Sequence, residues 1–210
     1  MGFRVLLAED HALVREALKL LLEQQGFEVV GEAADGHRAV RLARELQPDV
    51  AVLDLVMPLL NGLDAAREIR QASPGTRLVA LTGRTDDACV LEALQAGFRG
   101  CILKSGDAIE LMHAIREVAR GGTYLDPAVS KAVVGAYVSG TGPAKDPLSA
   151  RERQVLQLIA EGKKTREVAE VLCVSVKTAE SHRARIMKKL EIRDTAGLVR
   201  YAIRRGMSEL

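Results

Sequence analysis

Apolar and polar positions recur with two different periods along roughly the first 120 residues. Short, nearly continuous apolar runs predict buried β-strands over residues 3–8, 27–33, 49–54, 77–82 and 99–104. Between these runs the apolar spacing is that of amphipathic helices, over residues 12–25, 36–46, 62–72, 85–96 and 107–120. Because strands that are apolar on both faces belong to parallel sheets covered by helices, the pattern predicts an α/β domain with a five-stranded, doubly wound parallel sheet.

The last part of the chain has no strand pattern. Ser149 and Glu152 form an S-x-x-E capping box before apolar residues at helical spacing, and Gly162 ends that helix. Two short helices around the turn at residues 173–175 follow, and a last helix is expected from about Asp194 to Arg205. This order of elements predicts a small all-α domain of four helices with a helix-turn-helix arrangement.

A Gly/Pro-rich stretch, SGTGPAKDP at residues 139–147, separates the two patterns and is typical of a linker. We therefore expect an N-terminal domain over residues 1–122, a linker with a short helix over 123–147, and a C-terminal domain over 148–210. Residues 1–140 carry a net charge of −4 (15 Lys+Arg, 19 Asp+Glu), and residues 141–210 carry +6 (15 against 9), which sum to +2. The basic C-terminal part suggests nucleic acid as its partner.

The composition is that of a globular protein, with 48% hydrophobic and 28% charged residues. No apolar run approaches the roughly 20 residues that a membrane helix needs, so we expect a cytoplasmic protein with no membrane partner. The three cysteines, Cys89, Cys101 and Cys173, lack the paired spacing of zinc or redox sites and are expected to be reduced thiols.

Reactive side chains stand where the predicted strands end. The first strand is followed by Glu9 and Asp10, the third ends in Asp54, the fourth in Thr82 and the fifth in Lys104. The carboxyl ends of parallel strands meet at one edge of the sheet, which is where such folds bind ligands. Carboxylates that converge there require a cation, and oxygen ligands suit Mg²⁺. With a hydroxyl and an ammonium added, the set fits phosphoryl transfer to a carboxylate.

The stretches LLAEDH, PDVAVLDLVMPLLNG, LVALTG and GFRGCILK resemble the receiver domain of two-component response regulators, over about residues 3–121. The resemblance implies that Asp54 is the phospho-acceptor. It also implies that Asp10, Asp54 and the Val56 carbonyl bind Mg²⁺, with Glu9 acting mainly through water. Lys104 would pair with the phosphoryl group.

The same resemblance assigns a conformational switch and shows where this chain departs from the family. Thr82 would swing toward the phosphoryl group, and Pro58 and Gly62 match the turn that directs a backbone carbonyl to the metal. Receivers often carry two aspartates where this chain has a Glu-Asp pair. Three residues before the lysine they commonly carry Tyr or Phe, and here Cys101 takes that place in the switch.

The basic segment LSARERQVLQLIAEGKKTREVAEVLCVSVKTAESHRARIMKKLEIRDTAGLVRYA resembles the LuxR-type helix-turn-helix of response regulators of the NarL/FixJ class. Its predicted recognition helix runs from about Val176 to Leu190, with an apolar stripe facing inward. The residues off that stripe are the predicted DNA-binding set: Lys177, Thr178, Glu180, Ser181, Arg183, Arg185 and Lys188. We expect Glu180, Ser181 and Arg183 to face bases and the others to face mainly phosphates.

Together the resemblances predict a DNA-binding transcriptional response regulator. A histidine kinase would phosphorylate Asp54, and this would expose the helix-turn-helix and favour a homodimer on double-stranded DNA. The last helix would supply the dimer contact through Leu198 and Tyr201. RNA polymerase is a further candidate partner.

Two alternatives stay open at this point. In the first, the protein is a phosphorylation-independent DNA-binding regulator whose receiver is only an interaction module. The intact Asp54, Thr82 and Lys104 argue against this alternative, and Cys101 keeps it open. In the second, it is a phosphohydrolase of the haloacid-dehalogenase type, which also uses a strand-end Asp with Mg²⁺ and Lys. That class needs an acid two residues after the nucleophile, where this chain has Val56, so we do not expect an enzyme.

Overall fold

The structure, a computed structural model, describes residues 2–83, 87–127, 130 and 146–208. The chain divides into two compact units, one that holds a β-sheet and one that holds the C-terminal helices. Most of the predicted linker, with the short helix expected there, lies outside the described residues. The predicted domain boundaries therefore stay predictions.

The first unit is a parallel sheet flanked by helices. Its strands are β1 (Arg4–Ala8), β2 (Glu28–Ala33), β3 (Val50–Asp54), β4 (Arg77–Thr82), β5 (Gly100–Leu103) and β6 (Tyr124–Leu125). Its helices are α1 (Ala12–Gln24), α2 (Gly36–Leu46), α3 (Gly62–Ala72), α4 (Asp87–Ala96) and α5 (Ala108–Ala119). The strand order is β2-β1-β3-β4-β5-β6 and every pair is parallel, which confirms the predicted α/β fold.

The sheet has one strand more than the sequence predicted. β6 pairs with β5 through Gly100 with Tyr124 and Cys101 with Leu125, within the segment expected to be linker. Two residues are too short to show the period of two that identifies a strand. The predicted sheet is therefore correct in its five long strands and incomplete at one edge.

Burial of the central strands fixes the place of the site. All five residues of β3 are buried, and β3 lies between β1 and β4. The register pairs Ala8 with Leu53 and Asp54 with Leu81, so these neighbouring strands end at the same level. The carboxyl ends of β1, β3, β4 and β5 therefore form one continuous edge.

The second unit consists of α6 (Ala150–Ala160), α7 (Thr165–Val171), α8 (Val176–Leu190) and α9 (Thr195–Arg204). The predicted capping box is present, because Ser149 N donates to Glu152 Oε2 at 2.8 Å and Glu152 N donates to Ser149 Oγ at 3.3 Å. Leu156, Ile186 and Leu198 are fully buried in its core. Within the described ranges no helix combines the length and apolar character needed to cross a membrane.

Candidate functional site

Asp54 ends β3 as a buried carboxylate, with 3% of its surface exposed. Lys104, directly after β5, places its Nζ 2.8 Å from Asp54 Oδ2 and 2.9 Å from Glu9 Oε2. Glu9 follows β1 and has no exposed surface. The structure thus brings together three of the predicted residues, and one ammonium lies between two buried carboxylates.

Burial and charge oppose each other at Asp54. Removal from water raises the pKa of the Asp54 carboxyl, and the hydrogen bond and charge of Lys104 lower it; the net result is a pKa raised to about 6. Glu9 adds to the rise because it is a second carboxylate nearby. Val56 N also donates to Asp54 Oδ1 at 3.2 Å, so both carboxylate oxygens are oriented. A further cation near Asp54 would therefore stabilise its charged form.

The segment after β1 supplies two more polar side chains. Asp10 keeps 30% of its side chain exposed, and His11 Nδ1 lies 2.9 Å from Asp10 Oδ1 and 3.2 Å from Glu9 Oε1. Arg15 fixes this segment from α1, because its Nη1 donates to the Glu9 carbonyl at 2.6 Å. One ligand atom from each of Glu9, Asp10 and His11 lies within 4.8 Å of the other two. The position of His11, directly after the acidic pair in LLAEDH, is the signal that could have identified it from sequence.

The donor set fits a hard divalent cation. Glu9, Asp10 and Asp54 are three carboxylates near one sheet edge, and Lys104 is the one ammonium that the described contacts place against two of them. Oxygen ligands with excess negative charge are what Mg²⁺ requires. This site therefore has the oxygen donors needed to bind Mg²⁺.

The turn after Asp54 requires glycine at position 62. Its N–H donates to the Leu55 carbonyl at 2.9 Å. A Cβ at this position would overlap the Asp54 carbonyl oxygen and lie 2.8 Å from Leu55 Cα. The backbone can therefore close around Asp54 only because residue 62 has no side chain.

The two predicted switch residues lie on the neighbouring strands β4 and β5. Thr82 is buried at the end of β4, and its carbonyl accepts from Lys104 N at 2.8 Å. Cys101 is fully buried within β5, and burial raises the pKa of its thiol to about 12. At that pKa the thiol is neutral and unreactive at neutral pH, so Cys101 contributes to β5 as a small packing residue.

In the second unit, the solvent-facing side of α8 carries most of the predicted DNA-binding residues. Exposed side chains there are Lys177, Thr178, Glu180, Ser181, Arg185 and Lys188. Arg183 differs, since it is only partly exposed and its Nη2 donates to Thr195 Oγ1 at 2.7 Å. Arg183 is therefore oriented toward α9, and Ala184, which the sequence interpretation omitted, is exposed on the outer face.

The predicted dimer contact at Leu198 does not fit the structure. Leu198 has no exposed surface and packs in the core of its own unit, so it has no surface with which to contact a second subunit. The prediction mistook an inward apolar position of α9 for an outward one, because an amphipathic helix alone does not show which apolar residues are covered. Tyr201, three residues further on, is partly exposed.

Comparisons with known proteins identify both units. Residues 5–116 match the response regulator receiver domain family, and residues 146–202 match the family of bacterial regulatory proteins described as luxR. The oxygen regulatory protein NreC of Staphylococcus carnosus is 39% identical over 97% of this chain and 98% of its own length. The transcriptional regulatory protein MctR of Rhizobium johnstonii is 38% identical over 97% of this chain and 94% of its own length.

Solved structures give the same result. A LuxR-family two-component response regulator from Aurantimonas superposes with a TM-score of 0.63 at 37% identity, over 66% of this chain and 99% of that one. RcsB from Salmonella enterica, bound to the promoter rprA, superposes with a TM-score of 0.64 at 27% identity, over 96% of this chain and 98% of that one. The sequence relatives are named as regulatory proteins and RcsB is bound to a promoter, which confirms the prediction that the chain is not an enzyme. The chain therefore belongs to the LuxR family of two-component response regulators, transcription regulators in which a receiver domain controls a DNA-binding helix-turn-helix.

Proposed function

We propose that Asp54 is the phospho-acceptor of this regulator. The supporting observation is its position as a buried, oriented carboxylate at the ligand-binding edge of the sheet, 2.8 Å from Lys104. A carboxylate oxygen of Asp54 attacks the phosphorus of a kinase phosphohistidine, the phosphorus–nitrogen bond breaks, and the released imidazole nitrogen takes up a proton. The product is an acyl phosphate on Asp54, with roughly two negative charges at neutral pH.

The neighbouring residues would stabilise the transferring group. Mg²⁺, when bound, neutralises the carboxylates and the phosphoryl oxygens. Asp10, Asp54 and the Val56 carbonyl would hold this ion, with Glu9 acting through water. Lys104 already contacts Asp54, so a small shift of its ammonium would let it pair with a phosphoryl oxygen. The hydroxyl of Thr82 would donate a hydrogen bond to the remaining phosphoryl oxygen.

The new charge would act through β4 and β5. Thr82 and Lys104 are linked by a backbone hydrogen bond, so a shift of the backbone at either residue would be transmitted to the other. Cys101 lies in β5, the strand that Lys104 follows, and it is small enough to repack without an aromatic rotation. We infer that these shifts bias the receiver between two arrangements.

The output would be binding of double-stranded DNA by the outer face of α8. That face presents Lys177, Arg185 and Lys188, which suit phosphates and guanine edges. RcsB has been solved bound to a promoter in the presence of the phosphomimetic BeF₃⁻, and also as two dimers on two parallel DNAs. By analogy, this chain would bind its operator as a phosphorylation-favoured homodimer in the cytoplasm, with RNA polymerase as a candidate partner at the promoter.

One observation favours the alternative of a phosphorylation-independent regulator. Cys101 has no exposed surface and cannot perform an aromatic rotation between buried and exposed positions. In that case Asp54 would be dispensable for binding to DNA, and the receiver would act as an interaction module.

An affinity measurement on the full chain separates the two. DNA fragments selected from a random pool would be titrated with wild type and Asp54→Asn, each with Mg²⁺ and with or without BeF₃⁻. We expect BeF₃⁻ to tighten binding and to shift wild type toward a dimer in light scattering, with no change in Asp54→Asn. Equal affinity and mass in every arm would reject phosphorylation control in favour of the alternative.

A further inference from the structure

The acidic site of the receiver carries a nitrogen donor that the proposed function does not use. In the described part of the chain, Glu9, Asp10 and His11 form a group of three metal-ligating side chains whose donor atoms all lie within 4.8 Å of one another. His11 is 62% exposed at its side chain, so an ion that arrives from solvent can reach its ring.

The spacing of the donor atoms fits a single metal shell. Two ligands in adjacent positions of an octahedron with bonds of about 2.1 Å are about 3.0 Å apart. His11 Nδ1 lies 2.9 Å from Asp10 Oδ1 and 3.2 Å from Glu9 Oε1. An ion could therefore replace the hydrogen bonds of Nδ1 without a large movement of the three side chains.

The chemistry of imidazole sets which ion gains. Mg²⁺ prefers oxygen ligands and keeps its waters, so a nearby imidazole adds little to its binding. Mn²⁺ and Co²⁺ accept carboxylate and imidazole together, and their affinity for nitrogen sites rises in that order. A histidine beside two carboxylates thus favours transition metals selectively.

Hydrogen bonds fix the segment that carries the three donors. His11 N donates to Glu9 Oε1 at 3.3 Å, and Arg15 Nη1 donates to the Glu9 carbonyl. Lys104 contacts Glu9 at both carboxylate oxygens, so its ammonium competes with any ion for this carboxylate. Asp10 and His11 are paired with each other, since His11 Nδ1 lies 2.9 Å from Asp10 Oδ1.

We propose that His11 is a metal-selecting ligand, which with Asp10 and Glu9 raises the affinity of this site for Mn²⁺ and Co²⁺ relative to its affinity for Mg²⁺. The inference rests on the metal site of the proposed function but adds a residue outside the assigned ligand set, and for these ions it takes Glu9 as a direct ligand, whereas Glu9 would reach Mg²⁺ through water. In cells, the regulator would then respond to the balance of available divalent cations as well as to its kinase.

The test compares wild type, His11→Gln and the control His113→Gln, which changes an exposed histidine of α5. Calorimetry with each metal alone should show at least about a tenfold loss of Co²⁺ affinity in His11→Gln, since even the loss of an outer-shell partner of a metal ligand costs about that much. Mg²⁺ affinity should change by less than about twofold, which is well below the loss expected for Co²⁺. His113→Gln should match wild type for both metals.

A spectroscopic measurement on wild type needs no variant. Pulsed electron paramagnetic resonance of bound Mn²⁺ should show coupling to one imidazole ¹⁴N, and the coupling should vanish in His11→Gln. An absent coupling in wild type, or equal losses for Co²⁺ and Mg²⁺ in the variant, would overturn the proposal and leave His11 as a hydrogen-bonding partner of Asp10. Failure of wild type to phosphorylate at Asp54 would instead reject the proposed function, since the metal titrations do not depend on it.

Discussion

The ammonium of Lys104 is shared by Asp54 and Glu9, at 2.8 Å from Asp54 Oδ2 and 2.9 Å from Glu9 Oε2. Both carboxylates are buried, and the charge of one ammonium cannot balance two of them. The consequence is visible at Asp54, whose pKa is raised to about 6 by burial despite Lys104. The site is thus left with unbalanced negative charge, which is the condition for binding a divalent cation.

Asp54→Asn should stabilise the metal-free protein at neutral pH. The folded-state pKa of about 6 lies above the ordinary value of 3.8, so the folded state binds this proton more tightly than the unfolded state. The charged form therefore costs stability above pH 6, and the cost disappears as pH falls toward 4. Urea unfolding in chelator should show a gain on the order of 2 kcal/mol at pH 7 and almost none at pH 4. A gain independent of pH, or a loss, would show that Asp54 is not strained by its burial.

Gly62→Ala should damage the site through the backbone. The added Cβ would overlap the Asp54 carbonyl oxygen, so α3 or the end of β3 must move. We expect a loss of about 1–3 kcal/mol in urea unfolding, typical of overpacking. Gly75→Ala is the matched control, because a Cβ there meets nothing within 4 Å and should change stability little. Equal stabilities of the two variants would contradict the structure at this turn.

Glu152 should stabilise the DNA-binding unit mainly above pH 4.5. Burial raises the pKa of its carboxyl, but hydrogen bonds from Lys189 and Ser149 outweigh this and lower it to about 2. A lowered carboxyl pKa gives stability that is complete above the ordinary value of 4.5 and is lost as pH falls toward 2. Glu152→Gln should therefore cost about 1–3 kcal/mol at pH 7 in urea unfolding and markedly less at pH 3. An equal cost at both pH values would point to lost packing instead of the ion pair.

Lys188 should contribute to DNA binding through a phosphate. It is exposed on the outer face of α8, so Lys188→Ala should weaken binding to all sequences alike and reduce the slope of log affinity against log salt by about 1. Arg120→Ala, which removes an exposed charge from the receiver, is the control and should leave the slope unchanged. A loss confined to one operator sequence would instead make Lys188 a base contact.

Arg183 gives a sharper test of the recognition face. The sequence interpretation placed it on a base, whereas the structure bonds it to Thr195. If that bond is its role, Thr195→Val and Arg183→Ala should lower stability to a similar, small extent, about 0.5–1.5 kcal/mol. A loss of DNA affinity in Arg183→Ala alone, with unchanged stability, would restore the base contact.

Most of the receiver could be predicted because its strands are long and its site residues sit at strand ends. The run before Asp54 reads as a buried strand, and the topology of parallel sheets then brings that end next to Glu9 and Lys104 without further information. β6 escaped detection because two residues show no period. His11 directly follows the acidic pair, which marks it as a candidate, but its direction toward Asp10 and Glu9 depends on the backbone.

The DNA-binding unit shows where helical periodicity stops being informative. It identified α8 and its inward stripe, but it could not show that Arg183 on the flank would turn toward Thr195. It also could not separate Leu198, which is covered by its own unit, from Tyr201, which is partly exposed. Both outcomes depend on how neighbouring helices pack, and the spacing of one helix does not contain that information.

The central claim is that Asp54 receives the phosphoryl group, and intact mass tests it most directly. Wild type, Asp54→Asn and Lys104→Ala would be incubated with Mg²⁺ and a small phosphodonor and measured without acid treatment. We predict the mass of one phosphoryl group on wild type, none on Asp54→Asn and a slower gain on Lys104→Ala. An unmodified wild type, or the same gain in Asp54→Asn, would contradict the account.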